Sequence, residues 1–177
     1  MQIDNQFQQL KHLGAGDFQH LNGSLETHLQ GTEALLREWQ ADDILRTAGL
    51  FHAAYGTAGF DEQMVSLSKR AEIADVIGVE AEALVYLYCS CDRDVVFPQF
   101  SGQKSIQFKD RFTGDVFSLK ENQCRYFCEL TVANELELVK SSASFKAQYG
   151  RGLLTLFTSM NNYLSEHAIA SYEQLLQ

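Results

Sequence analysis

The sequence is poor in proline, in cysteine and in basic residues, and each shortage excludes a class of protein. A single proline, Pro98, among 177 residues excludes collagen-like and proline-rich low-complexity chains. Four cysteines are too few for a disulfide-stapled scaffold. The 14 basic residues are outnumbered by 23 acidic ones, which gives a net charge of −9. Because binding to a phosphate backbone depends on clustered positive charge, we expect no nucleic-acid partner.

Long apolar runs are also missing. The longest candidate, around Gly152 to Phe157, is far shorter than the ~18–20 apolar residues that cross a bilayer, so no membrane partner is expected. The segment from Met1 to Lys11 is polar and lacks the charged and then apolar order of a signal peptide. These features predict a cytoplasmic protein.

The composition is that of an ordinary folded chain, with 45% apolar and 21% charged residues. A length of 177 residues corresponds to one domain, so residues 1–177 are expected to fold as a unit. Apolar residues recur at three-to-four spacing, as on the buried face of a helix. The predicted helices run from Ser24 to Trp39, from Asp42 to Gly56, from Ser68 to Gly78, from Glu80 to Tyr88, from a capping box at Ser118–Glu121 through Val139, from Phe145 to Leu164 and from Glu166 to Leu176.

The period changes between the fourth and fifth helices. Ile106, Phe108 and Phe112 alternate with polar residues, and Gly114-Asp115 supplies a turn before a second short apolar segment. Alternation of this kind around a glycine-containing turn is typical of a β-hairpin. The sequence therefore predicts an all-α fold with a small β-hairpin insertion at about residues 104–119.

Three segments carry polar residues that a plain helical bundle does not need. His28 and Thr32 are four residues apart, so they share one helix face, and Gly31 between them allows a close backbone approach. His52 lies near the end of an apolar helix, with Tyr55 three residues later. A buried imidazole requires a hydrogen-bond partner. The remaining polar residues are those of Cys91-Asp92-Arg93 and the pair Asn134-Glu135 in the long helix.

Together these segments resemble the HD-domain superfamily of metal-dependent phosphohydrolases, all-helical proteins with the pattern His, His-Asp and a late Asp. The resemblance covers about residues 25–139 and is strongest to an uncharacterised bacterial HD-like family. The matching strings are His28-Leu-Gln-Gly-Thr32, Leu50-Phe-His-Ala-Ala-Tyr-Gly-Thr57 and Cys91-Asp-Arg93. The expected fold is accordingly HD-like.

The resemblance implies a metal centre that differs from the family pattern. Ala53 stands where the HD aspartate follows the second histidine, and Asn134 or Glu135 stands where the late aspartate is expected. His28 and His52, with a carboxylate from Asp92 or Glu135, form a set that suits one Fe(II), Mn or Zn ion. Hydrolase and non-haem iron oxygenase chemistry both stay open. The alternative is a catalytically inactive HD-like module that binds a metabolite or a protein.

The same reasoning assigns roles to the other polar residues. Tyr55 and Arg93 are the candidate catalytic residues, and Thr32, Thr57, Arg70, Arg93 and Asn134 are the candidate binding residues. Because a guanidinium group pairs with phosphate or carboxylate in a bidentate manner, the ligand is expected to be a small molecule, with an anionic group as one option. We expect His28 and His52 to face each other, Arg93 or Arg70 to line their cavity, and Asp92 to point inward. In the structural alternative, the histidines are core residues bonded to carbonyl groups, and the arginines are solvated.

The cysteines offer a weaker metal site. Cys124 and Cys128 share a helix face, and Cys89 and Cys91 are two residues apart. Zinc sites prefer cysteine pairs on turns, so these residues are expected to be buried free thiols.

Overall fold

The computed structural model describes residues 23–59 and 63–177, together with residues 5, 8 and 9. Within that part of the chain, eight α-helices and one two-stranded antiparallel sheet confirm the prediction of a helical fold with a small hairpin. The helices are α1 (Gly23–Glu38), α2 (Asp43–Phe51), α3 (Arg70–Ile77), α4 (Val79–Cys89), α5 (Arg93–Val96), α6 (Glu121–Ser141), α7 (Ala143–Ser159) and α8 (Glu166–Leu176). The strands are β1 (Gln107–Lys109) and β2 (Val116–Ser118), and three short 3₁₀ turns cover Leu67–Lys69, Phe97–Ser101 and Asn161–Tyr163.

The long helix α6 is central. It packs against α1, α2, α4, α7 and α8, and its buried face carries Phe127, Leu130 and Ala133. Phe127 is surrounded by the rings of Tyr88, Phe97, Phe100 and Phe108, at centroid distances of 5.8 to 6.4 Å. Because Phe108 belongs to β1, this cluster attaches the hairpin to the helices. None of the described helices has the length and apolarity needed to span a membrane.

Helix α2 begins where the sequence predicted and ends earlier. Asp42 Oδ1 accepts a hydrogen bond from Leu45 N at 2.9 Å, so the predicted N-cap is confirmed. The helix ends at Phe51 rather than near Gly56, because the Ala54 carbonyl accepts from Met64 N and Val65 N instead of from the next helical turn. The chain then reverses through Gly56, whose φ is +75°. His52 is the C-cap of the helix and keeps a helical backbone conformation.

Other boundaries also shift by a few residues. Gly78 ends α3 at φ +89° as predicted, but α3 begins at Arg70 rather than at Ser68. Ser66 caps the 3₁₀ turn before it, and its hydroxyl accepts from Ser68 N. The N-cap of α6 is Lys120, whose backbone N donates to Gln123 Oε1 at 2.9 Å, so the capping interaction falls two residues after the expected one. Helix α7 stops at Ser159. Helix α1 begins at Gly23, and the side chain of Ser24, its expected cap, lies outside what the structure describes.

The sequence did not predict α5. Its single turn and the 3₁₀ turn that follows occupy residues between Arg93 and Ser101, and the paired strands are confined to Phe108↔Phe117 and one residue on each side. Pro98 lies in the first turn of this 3₁₀ segment, where its missing N–H costs nothing. This arrangement places Arg93 at the start of a helix that adjoins the end of α4.

Candidate functional site

A cavity of about 760 Å³ lies among α1, the end of α2, the start of α5 and the C-terminal half of α6. Its apolar wall includes Leu25, Ala53, Leu138 and Phe145. Its polar wall includes His28, His52, Arg93, Asn134, Glu135 and Glu137. The structure thus brings together six of the residues that the sequence singled out, the five just named and Thr57, and adds Glu137.

His28 is held between two residues of α6. Its Nδ1 lies against the carboxylate of Glu137, and its Nε2 lies 2.9 Å from Asn134 Oδ1. Asn134 Nδ2 donates to Glu135 Oε1 at 3.1 Å, so the amide oxygen is the atom that faces His28. Both ring nitrogens of His28 are consequently engaged by oxygen atoms.

Gly31 is what lets Glu137 reach His28. A Cβ atom at position 31 would lie 2.7 Å from Glu137 Cγ, closer than real side chains allow. Helices α1 and α6 therefore touch through a glycine at the level of the histidine. This geometry agrees with the close approach expected from Gly31.

His52 is almost completely buried, with 2% of its surface exposed. Its ring centroid lies 5.2 Å from that of His28 in an edge-to-face arrangement, as expected for two histidines that face each other. Nδ1 donates to the Gly49 carbonyl at 2.6 Å, which fixes the neutral tautomer and leaves the lone pair on Nε2. Burial, and then the positive charges of His28 and Arg93, lower the pKa of His52 to about 3, against weaker opposing effects of Gly49 and Asn134.

Arg93 contributes the guanidinium group of the cavity. Nη1 lies 3.4 Å from Glu135 Oε1, and Nη2 donates to the Tyr88 hydroxyl at 3.3 Å. Burial raises the pKa of Glu135, while Arg93, His28 and Asn134 act in the opposite direction. The expectation that Arg93 or Arg70 lines the cavity is met by Arg93.

The donor set does not fit a divalent metal ion. One expected ligand, His28, has both nitrogens engaged, and another, Glu135, is paired with a guanidinium group. The described residues include no group of three His, Cys, Asp or Glu side chains placed to bind a metal. The geometry of this part of the chain therefore gives no support to the metal centre implied by the HD resemblance.

Asp92 lies elsewhere. Its carboxylate is 3.0 Å from Lys109 Nζ, and it borders a separate cavity of about 400 Å³ together with Asp94 and Arg111. The described lining of the larger cavity does not include it. Asp92 faces β1 because the start of α5 is attached to that strand by the bond from Asp92 N to Lys109 O. The expectation that Asp92 points toward the histidines is not met.

Arg70 and Tyr55 belong to a structural cluster away from the cavity. Glu82 accepts from Arg70 Nε at 2.7 Å, from Arg70 Nη2 at 2.9 Å and from the Tyr55 hydroxyl at 2.9 Å. Arg70 also lies over the Tyr86 ring, 3.6 Å from its centroid. Burial and then Glu82 raise the pKa of Tyr55 far above its ordinary value, so the hydroxyl stays protonated and donates. Neither residue borders the cavity in the part of the chain described, and the catalytic and anion-binding roles expected for them have no geometric basis.

The two candidate threonines, Thr32 and Thr57, differ in whether they border the cavity. Thr57 borders the cavity, whereas the hydroxyl of Thr32 donates to the His28 carbonyl at 2.9 Å within α1. Thr32 is completely buried. Thr32 therefore supports the helix that carries His28 and is not among the described residues that line the cavity.

Glu137 is the site residue that sequence reasoning missed. In the sequence, Glu137 resembles an ordinary exposed residue of a helix, yet its carboxylate, like that of Glu135, is mostly buried. The signal in the sequence that could have identified Glu137 was its spacing, because Glu137 lies three residues after Asn134 and so shares its helix face.

All four cysteines are free and buried, which confirms the expectation of buried free thiols.

Comparison with known proteins adds a family without an assigned activity. Residues 9–93 are similar to a family described as a domain of unknown function, DUF6817. This match covers less than half of the chain and includes His28, His52 and Arg93, but not α6. A search of curated proteins found no match. No solved structure matches either.

Proposed function

We propose that this protein binds a small organic molecule in the cavity among α1, α2, α5 and α6, without a resident metal ion. The observation that carries the proposal is the convergence of six mostly buried polar residues on one cavity of about 760 Å³. Ligand pockets commonly have volumes of ~300–1,000 Å³, with apolar walls and a few placed polar groups. Of the functions considered from the sequence, this is the binding module rather than the metal-dependent enzyme.

The contacts of the cavity favour binding over metal catalysis. Hydrolase or oxygenase chemistry of the HD type needs an ion held by free imidazole and carboxylate groups. Here Glu137 and Asn134 occupy the nitrogens of His28, and Ala53 leaves His52 without the neighbouring aspartate. Such a set can instead donate to and accept from an organic ligand.

Blocking the mouth of the cavity tests the proposal. Ser141 borders the cavity at the end of α6 and is exposed, so tryptophan can replace it without entering the core. We expect fragments that bind the wild-type protein in saturation-transfer NMR to bind Ser141→Trp at least ~10-fold more weakly, because the indole ring fills the opening.

Thr155→Trp is the matched control for this experiment. Thr155 is an exposed helical residue whose hydroxyl also bonds to a carbonyl of the preceding turn, and it lies on α7 away from the cavity lining. Fragment binding should survive this substitution. Binding that persists in Ser141→Trp would place the ligand outside the cavity and contradict the proposal.

The absence of a resident metal gives a second test. Equimolar Mn(II), Zn(II) or Fe(II) is expected to leave the melting temperature of the metal-free protein unchanged, because no free set of three ligands is available among the described residues. A site occupied at 100 times its Kd would raise the melting temperature of a chain this size by about 5–10 °C. Stoichiometric metal in protein purified without chelator, and its loss in His52→Ala, would establish the metal centre instead.

A further inference from the structure

The charged side chains among the described residues of the cavity wall are compensated in pairs. Arg93 Nη1 lies 3.4 Å from Glu135 Oε1, and both side chains are largely buried, with 19% and 12% of their surfaces exposed. Arg93 also lies 5.5 Å from the centroid of the Tyr88 ring and 5.6 Å from that of Phe97. The guanidinium group therefore already has an anion and two aromatic faces.

The second pair is formed by His28 and Glu137. Both nitrogens of the His28 ring face oxygen acceptors, which is the hydrogen-bonding pattern of a doubly protonated imidazolium ring. Glu137 supplies the matching negative charge, and the two side chains are only 15% and 12% exposed. This pair, like the first, carries no net charge.

Among the described residues that line the cavity, the remaining titratable group is His52, which is uncharged. With Nδ1 donating to Gly49, its Nε2 presents a lone pair that accepts a hydrogen bond. The carboxylates likewise accept, and Leu25, Leu138 and Phe145 offer an apolar surface. The polar residues of the wall can therefore accept hydrogen bonds from a ligand that carries donors, and the apolar residues can contact an apolar part of the same ligand.

We infer that the cavity selects an uncharged organic molecule that carries hydroxyl groups on an apolar body, in preference to a phosphate, a carboxylate or an amine. This inference rests on the proposed function and adds the class of ligand. A charged ligand would bring an unpaired charge into a largely apolar cavity whose described charged residues are already matched, and desolvating that charge weakens binding. A hydroxyl group donates to Glu135 or His52 at no such cost.

Three probes with the same aromatic body separate the charge types. These are 2-phenylethanol, phenylacetate and 2-phenylethylammonium, titrated at pH 7 into the full chain and followed by chemical-shift changes. We expect 2-phenylethanol to bind at least ~10-fold more tightly than either charged probe. Each probe fits easily within 760 Å³.

Two variants should reverse the preference in opposite directions. Glu135→Gln removes the anion that Arg93 contacts, so phenylacetate should become the tightest probe. Arg93→Gln leaves Glu135 unpaired, so 2-phenylethylammonium should become the tightest. Glu33→Gln is the control, because Glu33 is a buried carboxylate paired with Arg46 and lies outside the described lining of the cavity.

The outcomes distinguish this inference from the proposed function. Tightest binding of phenylacetate to the wild-type protein would make Arg93 an anion anchor, and tightest binding of the amine would make Glu135 a cation site; either overturns the inference alone. An unchanged order of affinity of the three probes in folded Glu135→Gln and Arg93→Gln also overturns it.

Failure of all three probes at millimolar concentration, while other fragments bind and are blocked by Ser141→Trp, rejects the ligand class but leaves the binding function. If Ser141→Trp blocks no fragment, both are rejected. Should a variant not fold, the order of the three probes on the wild-type protein decides.

Discussion

Alanine in place of Glu82 is expected to lower the free energy of unfolding by about 3 kcal/mol. Glu82 is the shared acceptor for the Arg70 guanidinium group and the Tyr55 hydroxyl, and its side chain is only 6% exposed. Its loss leaves the completely buried Tyr55 without an acceptor and Arg70 without its partner. Arg70 is 38% exposed and can turn toward water, so most of the cost comes from Tyr55 and from the cavity left by Glu82. Urea denaturation at pH 7 measures the change.

Glu80→Ala provides the comparison, since Glu80 lies in the first turn of the same helix and is exposed. That substitution should change stability by no more than about 0.5 kcal/mol. Fragment binding in the cavity should be the same in both variants, because Glu82 does not border it in the described structure. A loss below about 1 kcal/mol in Glu82→Ala would show that this cluster adds little to stability.

Much of the fold follows from local patterns in the sequence. The periodic apolar residues predicted the helices, and local signals correctly predicted where two of them begin or end, at Asp42 and Gly78. The boundary errors have tertiary causes. Helix α2 stops early because Met64 and Val65 use the Ala54 carbonyl, and these contacts come from a segment ten residues away in sequence. No periodicity within α2 encodes that competition.

The candidate site, like the fold, could be predicted from the sequence only in part. His28, His52, Arg93, Asn134 and Glu135 were singled out from the sequence, and the structure brings them to one cavity. Arg70 and Asp92 were also singled out but have partners that the sequence did not suggest, Glu82 and Lys109. A charged residue in isolation gives no sign of whether its partner is a ligand or another part of the chain, because the pairing depends on which helices become neighbours.

Acidification is expected to destabilise the protein through His52. An unfolded histidine takes up its proton near pH 6.5, whereas burial and the charges of His28 and Arg93 lower the pKa of His52 to about 3 in the folded state. Between these two values the unfolded state binds one proton more than the folded state, so stability falls as the pH is lowered, by up to about 1.4 kcal/mol per pH unit. Between pH 6.5 and pH 4.5 the contribution of His52 is a loss of about 2–3 kcal/mol.

The comparison that isolates this contribution is the pH dependence of the unfolding free energy in the wild-type protein, in His52→Gln and in His167→Gln. Glutamine does not titrate, so His52→Gln should lose less stability on acidification, while His167→Gln, altered at an exposed residue of α8, should follow the wild type. Burial raises the pKa of Glu129 and Glu135, and both carboxylates therefore favour the folded state as the pH falls. Both carboxylates are present in all three proteins, and His167 is the smallest of the influences on the pKa of Glu129, so their effect largely cancels in the difference. Parallel curves for wild type and His52→Gln would mean that His52 is protonated in the folded state near its ordinary pKa, and the uncharged acceptor assigned to the cavity would then be wrong.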